Sequence, residues 1–261
     1  MNNLIIGDTS QLSYYFPNNY LKISSRNINF DLLKTTTYDT IYLLFAEQRT
    51  FLDEDLSFFL ETNFDYTIKV IDELKNIANR IVIYSTSELW NNVEGCIQIG
   101  NEYNYNFTPY IKSKEVLCNF INENRKDYDN VKIIYPFNFN SVYRRDGFLF
   151  GKIYDSIINN KKITVGNIDF YRDITHPKII VDNSITATTD TIIGSGELIS
   201  VKKFITDLFE VHNKNVNDYI SFTPENILGN KRKNYFSCKQ YSTYETLLNL
   251  SIKDIYEYKI S

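Results

Sequence analysis

Tyr110 and Lys114 stand four residues apart, a spacing that puts a phenol and an ammonium on one face of a helix. A lysine ammonium beside a phenol stabilises the phenolate and pulls its pKa down from about 10 toward neutrality. A phenol so tuned passes a proton to or from a substrate oxygen at physiological pH. With 21 tyrosines in the chain such a pair can arise by chance, so its weight comes from context. Thr86 lies upstream in Ser85-Thr86-Ser87-Glu88, directly after the apolar run Arg80-Ile81-Val82-Ile83-Tyr84. A hydroxyl, a phenol and an ammonium converging on one carbonyl is the constellation that hydride transfer requires. The alternative for Ser85-Thr86-Ser87 is a polar turn that closes a strand.

The elements that must position these groups are short and apolar. Leu4-Ile5-Ile6, Tyr20 to Ile23, Thr40 to Phe45, Arg80 to Tyr84 and Val131 to Tyr135 read as strands. Between Phe51 and Ala78 positions recur at helical intervals, with Asn63, Tyr66, Thr67, Val70, Ile71, Leu74 and Ile77 along one face. A second helix is expected from about Pro109 to Asn122, and further helical pieces near Phe148–Ile158 and Ser200–His212. Nearly all-apolar strands alternating with helices predict an α/β fold, a parallel sheet covered on both faces. Ligands bind outside the carboxyl ends of such strands, where Thr86 stands.

Net charge −4 leaves no basic surplus for phosphate neutralisation, which excludes a general nucleic-acid binder. The run Lys231-Arg232-Lys233 reads as a solvated face. Cys96, Cys118 and Cys238 show no metal-type spacing and are expected to be reduced thiols. Two histidines, His176 and His212, are too few for an all-histidine zinc site, so no metal is expected. No signal peptide precedes the first strand and no run could span a bilayer, so a soluble cytoplasmic protein with no membrane partner is expected.

Five segments carry a family resemblance. Arg80 to Trp90 resembles the strand of extended short-chain dehydrogenases/reductases that ends in Ser-Thr-Ser-Glu-Val-Tyr-Gly, and Thr108 to Glu115 is similar to their Pro-Tyr-Gly-x-Ser-Lys helix start. Ile134-Tyr135-Pro136-Phe137-Asn138 resembles their Arg-Pro-Phe-Asn segment. Gly166 to Asp173 is similar to the Gly-Asn-x-x-x-x-Arg-Asp segment of GDP-mannose dehydratases and related reductases, and Gly194 to Val201 to their Gly-x-Gly-Glu-x-x-Ser-Val turn. The resemblance implies a Rossmann-type doubly wound sheet with a smaller interleaved C-terminal region for a nucleotide-sugar. The cofactor domain would comprise residues 1–137 plus about 161–195, and the sugar region about 138–160 and 196–261. By resemblance Thr86, Tyr110 and Lys114 are the catalytic trio, and Thr86, Asn138 and Arg172 face the nucleotide-sugar. Relatives pair helices as a four-helix bundle, and the apolar surplus on the helices of 51–78 and after Pro109 implies a homodimer.

Departures from the family pattern are informative. Its loop Gly-x-x-Gly-x-x-Gly reads Gly7-x-x-Ser10-x-x-Ser13 here, with Thr9, Gln11 and Leu12 between. The first glycine makes the tight turn and is kept; serine replaces the two that admit the pyrophosphate and the helix. A helix N-terminus there is expected to hold the pyrophosphate, more weakly than in the family, and loss of cofactor binding is the alternative. The second strand ends in Ser24-Ser25-Arg26 with no acidic residue to hold the ribose of NAD. Arg26 suits the extra phosphate of NADP, and Arg26-Asn27-Ile28-Asn29 resembles the Arg-x-x-Leu-Asn loop of GDP-fucose synthetases, so NADP(H) is favoured over NAD(H).

Family dehydratases carry Thr-Asp-Glu after the strand, where this chain has Thr86-Ser87-Glu88; the acid is missing, and Glu88 is either a base or an exposed carboxylate. No Cys/His pair is in place for epimerisation at carbons 3 and 5, and His176 is expected to satisfy a structural hydrogen bond. The expectation is reduction of a keto nucleotide-sugar. A 4-epimerase with bound NAD and a non-catalytic nucleotide-sugar binder are the alternatives.

Overall fold

The computed structural model describes residues 2–105, 108–144, 147–223 and 233–260. Lys231 and Arg232 lie outside the described residues. Six strands build the central sheet: β1 (Asn3–Ile6), β2 (Leu21–Ile23), β3 (Thr40–Leu43), β4 (Ile81–Tyr84), β5 (Val131–Pro136) and β6 (Thr191–Ile193). Their order is β6-β5-β4-β3-β1-β2. The pairs β1–β2, β1–β3, β3–β4 and β4–β5 are all parallel, in the doubly wound Rossmann arrangement. Leu4, Ile5, Ile6, Ile41, Ile81, Val82, Val131 and Ile133 are fully buried, because a parallel sheet covered on both faces needs apolar side chains in both directions.

Helical coverage differs from the expectation in two places. After β1 there is no long helix, only a 3₁₀ turn over Gln11–Tyr15. Phe16 precedes Pro17, and the proline ring forces its predecessor into the extended region (φ −73°, ψ 151°), which stops the helix. The Phe51–Ala78 pattern resolves into an α-helix at Leu56–Leu60, a π-helical turn at Glu61–Tyr66, an α-helix at Thr67–Leu74 and a 3₁₀ turn at Lys75–Ile77. It starts late because Asp53 is left-handed (φ 55°) and Asp55 caps the first turn by accepting the Phe58 amide.

The chain forms two compact units. One comprises Met1–Leu89, Tyr103–Pro136 and Val181–Ile192; the other Trp90–Glu102, Phe137–Ile180 and Ile193–Ser261. This division departs from the boundaries read from the sequence, because residues 95–97 and 163–165 pair with late strands. Gly95–Ile97 runs parallel to Tyr235–Ser237, and Ile163–Val165 parallel to Ile220–Phe222. The second unit packs its core from the helices Leu149–Asn159 (Ile153, Ile157), Val201–Val211 (Phe204, Leu208) and Tyr244–Ile260 (Leu247, Ile255).

Cys96 and Cys238 form a disulfide, which corrects the expectation of three reduced thiols; Cys118 alone is free, and it is buried. The two are 142 residues apart in sequence, so no spacing signal announces the pair. Strand pairing brings them together. Cys96→Ser should lower the stability of the oxidised protein by about 2–5 kcal/mol, the usual effect of opening a long disulfide loop. Thermal melts with and without reductant check this: reductant should destabilise the wild type and leave the variant unchanged.

Among the described residues no helix is long and apolar enough to cross a membrane, and no group of His, Cys, Asp and Glu could hold a metal ion.

Candidate active site

The helix Pro109–Glu123 starts where Thr108 accepts the Ile111 amide on its hydroxyl (3.2 Å) and Pro109 fills the first turn. Ile111, Leu117, Cys118 and Ile121 form its buried face. Lys114 shares that face and is 3% exposed. Its Nζ donates to the Tyr84 carbonyl at the end of β4 (2.9 Å). Burial lowers its pKa from 10.5 to about 8. An ammonium has three donors, and this is the one hydrogen bond that Lys114 makes among the described residues. Its other two donors make no hydrogen bond among the described residues. Tyr110 is half-buried one turn earlier, with its ring edge-on to Phe59 (centroids 6.1 Å apart).

Thr86 is buried two residues beyond Tyr84, so the lysine bond ties helix and Thr86 to the same strand end. The Thr86 hydroxyl oxygen accepts the Glu88 amide (3.2 Å), which orients the side chain and leaves its proton to be donated. Ser87 is buried and Glu88 half-buried in the 3₁₀ turn Ser87–Trp90.

Asn63, which helical periodicity placed on the packed face without giving it a role, is a positioning residue. The π-helical turn presents it fully buried, and its amide grips the main chain of Glu47: Oδ1 accepts Glu47 N–H (2.7 Å) and Nδ2 donates to Glu47 O (2.9 Å). Nδ2 also donates to Ser113 Oγ (2.9 Å), whose hydroxyl donates to Tyr110 O (2.7 Å). One asparagine thus joins the loop after β3 to the helix carrying Tyr110. The available signal was a buried amide on an otherwise apolar face, which has to be paid for by hydrogen bonds.

The loop after β1 meets the expectation at Gly7 alone. Gly7 has φ +112°, and a Cβ there would sit 3.1 Å from the backbone of Leu44 and Phe45. The two serines bind the loop to itself: Ser10 N–H donates to Gly7 O (3.0 Å), Ser13 N–H to Ser10 O (2.9 Å), and the buried Ser13 hydroxyl to Asp8 O. Thr9 is exposed, Ser10 half-buried, and Gln11 and Leu12 are buried in the 3₁₀ turn that replaces the expected helix N-terminus. Arg26 is exposed after β2, in a turn where its amide donates to Ser24 Oγ (3.1 Å) and Asn27 is left-handed.

Asn138 and Arg172 belong to the second unit. Asn138 is half-buried in a two-residue strand beside Ile174. The Arg172 guanidinium lies 4.7 Å over the Phe170 ring, and Arg172 Nη1 donates to Tyr171 O (2.7 Å). Asp173 is fully buried and accepts from Ser195 N–H (2.6 Å), Ser195 Oγ (2.8 Å), Gly196 N–H (3.1 Å) and Ser237 N–H (2.9 Å). A Cβ at Gly194 would come within 2.5 Å of this carboxylate, so the Arg-Asp segment and the Gly-x-Gly turn interlock. His176 Nε2 pairs with Asp254 Oδ2 (2.9 Å) while Nδ1 accepts the Lys178 amide (3.2 Å), a buried structural arrangement.

No curated protein matches the chain. Solved structures with the same fold include RMD from Pseudomonas aeruginosa complexed with NADPH, with TM-score 0.78 and 14% identity over 98% of this chain and 100% of that one. UDP-glucose 4-epimerase from Thermotoga maritima with UDP-glucose has TM-score 0.78 and 13% identity over 100% of both chains. dTDP-glucose 4,6-dehydratase from Bacillus anthracis in complex with NAD has TM-score 0.77 and 16% identity, covering 99% of this chain and 97% of that one. The family described as GDP-mannose 4,6 dehydratase matches residues 21–242, and the chain accordingly belongs to it, among the extended short-chain dehydrogenases/reductases that handle sugar nucleotides with a nicotinamide cofactor.

Proposed function

We propose that the protein reduces a keto nucleotide-sugar, a 4-keto-6-deoxy sugar by preference, with NADP(H). The observation that carries this reading is the buried Lys114 ammonium, held by a single carbonyl at the end of β4 and one helical turn from Tyr110. The cofactor fits the residues present. Gly7 keeps the tight turn at positive φ, and the two spare Lys114 donors match ribose hydroxyls. Gly7, Thr9, Ser10, Gln11 and Leu12 would lie along the pyrophosphate, and Arg26 against the extra phosphate. The bound nicotinamide supplies the hydride.

Thr86 donates a hydrogen bond to the carbonyl oxygen and Tyr110 delivers its proton, while Lys114 stabilises the phenolate left behind. Dehydration is disfavoured because Ser87 stands where an acid is needed and is itself buried. Asn138 and Arg172 are assigned to the nucleotide-sugar. The helices at 56–77 and Pro109–Glu123 form the homodimer interface in this reading. Phe64 and Phe120 pack on each other (5.4 Å), and Leu60, Phe64 and Ile68 stay half-exposed as a stripe for the partner.

A second reading, a nucleotide-sugar binder without turnover, is favoured by the self-bonded Ser10/Ser13 loop and its single 3₁₀ turn. Thermal shifts with GDP-, UDP-, CDP- and dTDP-sugars, each with and without NADPH, separate the two. Stabilisation by NADPH as well as by one sugar supports the reductase; stabilisation by sugar alone supports the binder. Retention of tightly bound NAD through purification would favour the epimerase instead.

Cofactor choice has its own test. Arg26→Asp should weaken NADPH binding by about 1–3 kcal/mol, the range of a charge-assisted contact, and NADH much less. Titration of each cofactor by calorimetry checks this, and equal losses would remove Arg26 from the phosphate site.

A further inference from the structure

We propose that the Ser85–Cys118 hydrogen bond is a positioning device for Lys114, fixing the one peptide unit that holds the lysine ammonium. The inference rests on the role given to Lys114 above. Cys118 lies one helical turn beyond Lys114, and both side chains reach back to the end of β4. Cys118 Sγ lies 3.1 Å from Ser85 Oγ, with both residues buried. Ser85 follows Tyr84, whose carbonyl accepts Lys114 Nζ at 2.9 Å. The Ser85 N–H, on the same peptide unit as that carbonyl, donates to Ile134 O of β5 at 2.8 Å.

The Tyr84–Ser85 peptide is thus held on three sides: its N–H by the neighbouring strand, its carbonyl by Lys114, and the adjoining side chain by Cys118. Two helical residues one turn apart grip neighbouring atoms of a single strand end. That grip sets the register of the helix against β4, and with it the place of Tyr110 relative to Thr86, the residue after Ser85. Tyr103 and Tyr135 lie beside the thiol, their hydroxyls 3.0 Å apart and bonded to each other. Burial keeps the Cys118 thiol neutral, which suits a hydrogen-bond donor and not a nucleophile. Simple space filling would call for an aliphatic side chain; a thiol bonded to a buried serine hydroxyl is polar packing, which holds one arrangement only when all its members are satisfied.

The test compares Cys118→Ala, Cys118→Ser, Ser85→Ala and the Ser85→Ala/Cys118→Ala pair in the full chain. Two readouts are used: Lys114 titration by NMR of isotope-labelled lysine, assigned with Lys114→Met, and the pH profile of kcat. Each alanine variant should move the Lys114 titration toward that of an ordinary lysine and lower kcat about 3- to 10-fold, the scale of one neutral hydrogen bond. The double variant should add little to either single, because both remove the same bond. Cys118→Ser keeps a donor and should restore the wild-type titration. A drop in melting temperature with Lys114 titration and pH profile unchanged would reduce Cys118 to packing and overturn the proposal. Ser85→Ala carries the same test from the strand side if Cys118→Ala does not fold. Lack of turnover by the wild type on every nucleotide-sugar would count against the reductase reading alone, since the NMR titration needs no substrate.

Discussion

Tyr110→Phe is expected to lower kcat for reduction of a keto nucleotide-sugar by about 10²–10⁴-fold, the usual loss when a positioned general acid is removed. The substitution deletes one oxygen from a half-buried ring whose edge-on contact with Phe59 stays intact. Fold and cofactor affinity should therefore be nearly unchanged. The wild-type pH profile should contain a group titrating well below the roughly 10 of free tyrosine, and the variant should lack that limb. Full activity of the variant on its substrate would remove Tyr110 from the chemistry.

Lys114→Met should have two opposite effects. Turnover should fall by at least as much as in Tyr110→Phe, with weaker cofactor binding, because the ammonium serves both the phenol and the ribose. Stability near neutral pH should rise. The lysine pKa is lowered by burial from 10.5 to about 8, so the unfolded chain holds the proton more tightly between those values. The cost of burying the charge is fully present below pH 8, about 3 kcal/mol from the shift alone. It diminishes as pH rises from 8 toward 10.5, where the folded protein has already lost the proton. Methionine fills the same space without charge. Chemical denaturation across this range should show the variant's advantage over the wild type largest at neutral pH and shrinking above pH 8. An advantage that does not depend on pH would mean the lysine is not buried as an ammonium. A lysine kept at that cost to stability is what a site with work for it requires.

Much of the fold was legible from the chain. Runs such as Leu4-Ile5-Ile6 and Ile81-Val82-Ile83 are apolar at every position and too short for a helix, which reads as a strand buried on both faces. The pattern at Thr108 to Lys114 announced a helix start as well as the paired phenol and ammonium. What was missed depends on contacts distant in sequence. The Cys96–Cys238 disulfide and the assignment of residues 90–102 to the second unit both follow from one short parallel pairing, Gly95–Ile97 with Tyr235–Ser237. No local pattern specifies a two-strand pairing across that much chain. The π-helical turn around Asn63 was read as plain helix because the apolar positions on either side keep their spacing within its tolerance. The loop after β1 was expected to lead into a helix because glycine-to-serine changes are small, whereas Pro17 decided the length of the turn.

Within the candidate site, sequence motifs named Thr86, Tyr110 and Lys114, and the fold ties Lys114 to the strand end that bears Thr86. The sequence did not reveal how that strand end and the helix carrying Tyr110 are held. Asn63, Ser85 and Cys118 act through hydrogen bonds to main-chain atoms or to one another, and such bonds leave no residue-type signature in a single sequence.

The most direct test of the central claim is a single-turnover experiment. Excess protein is mixed with NADPH and a 4-keto-6-deoxy nucleotide-sugar of each base in turn, and loss of reduced-nicotinamide absorbance is followed together with the sugar product. The account predicts stoichiometric oxidation of NADPH with one of these substrates, formation of the corresponding hydroxy-sugar nucleotide, and loss of the signal in Tyr110→Phe. Binding of a nucleotide-sugar with no oxidation of NADPH or NADH on any substrate would contradict it.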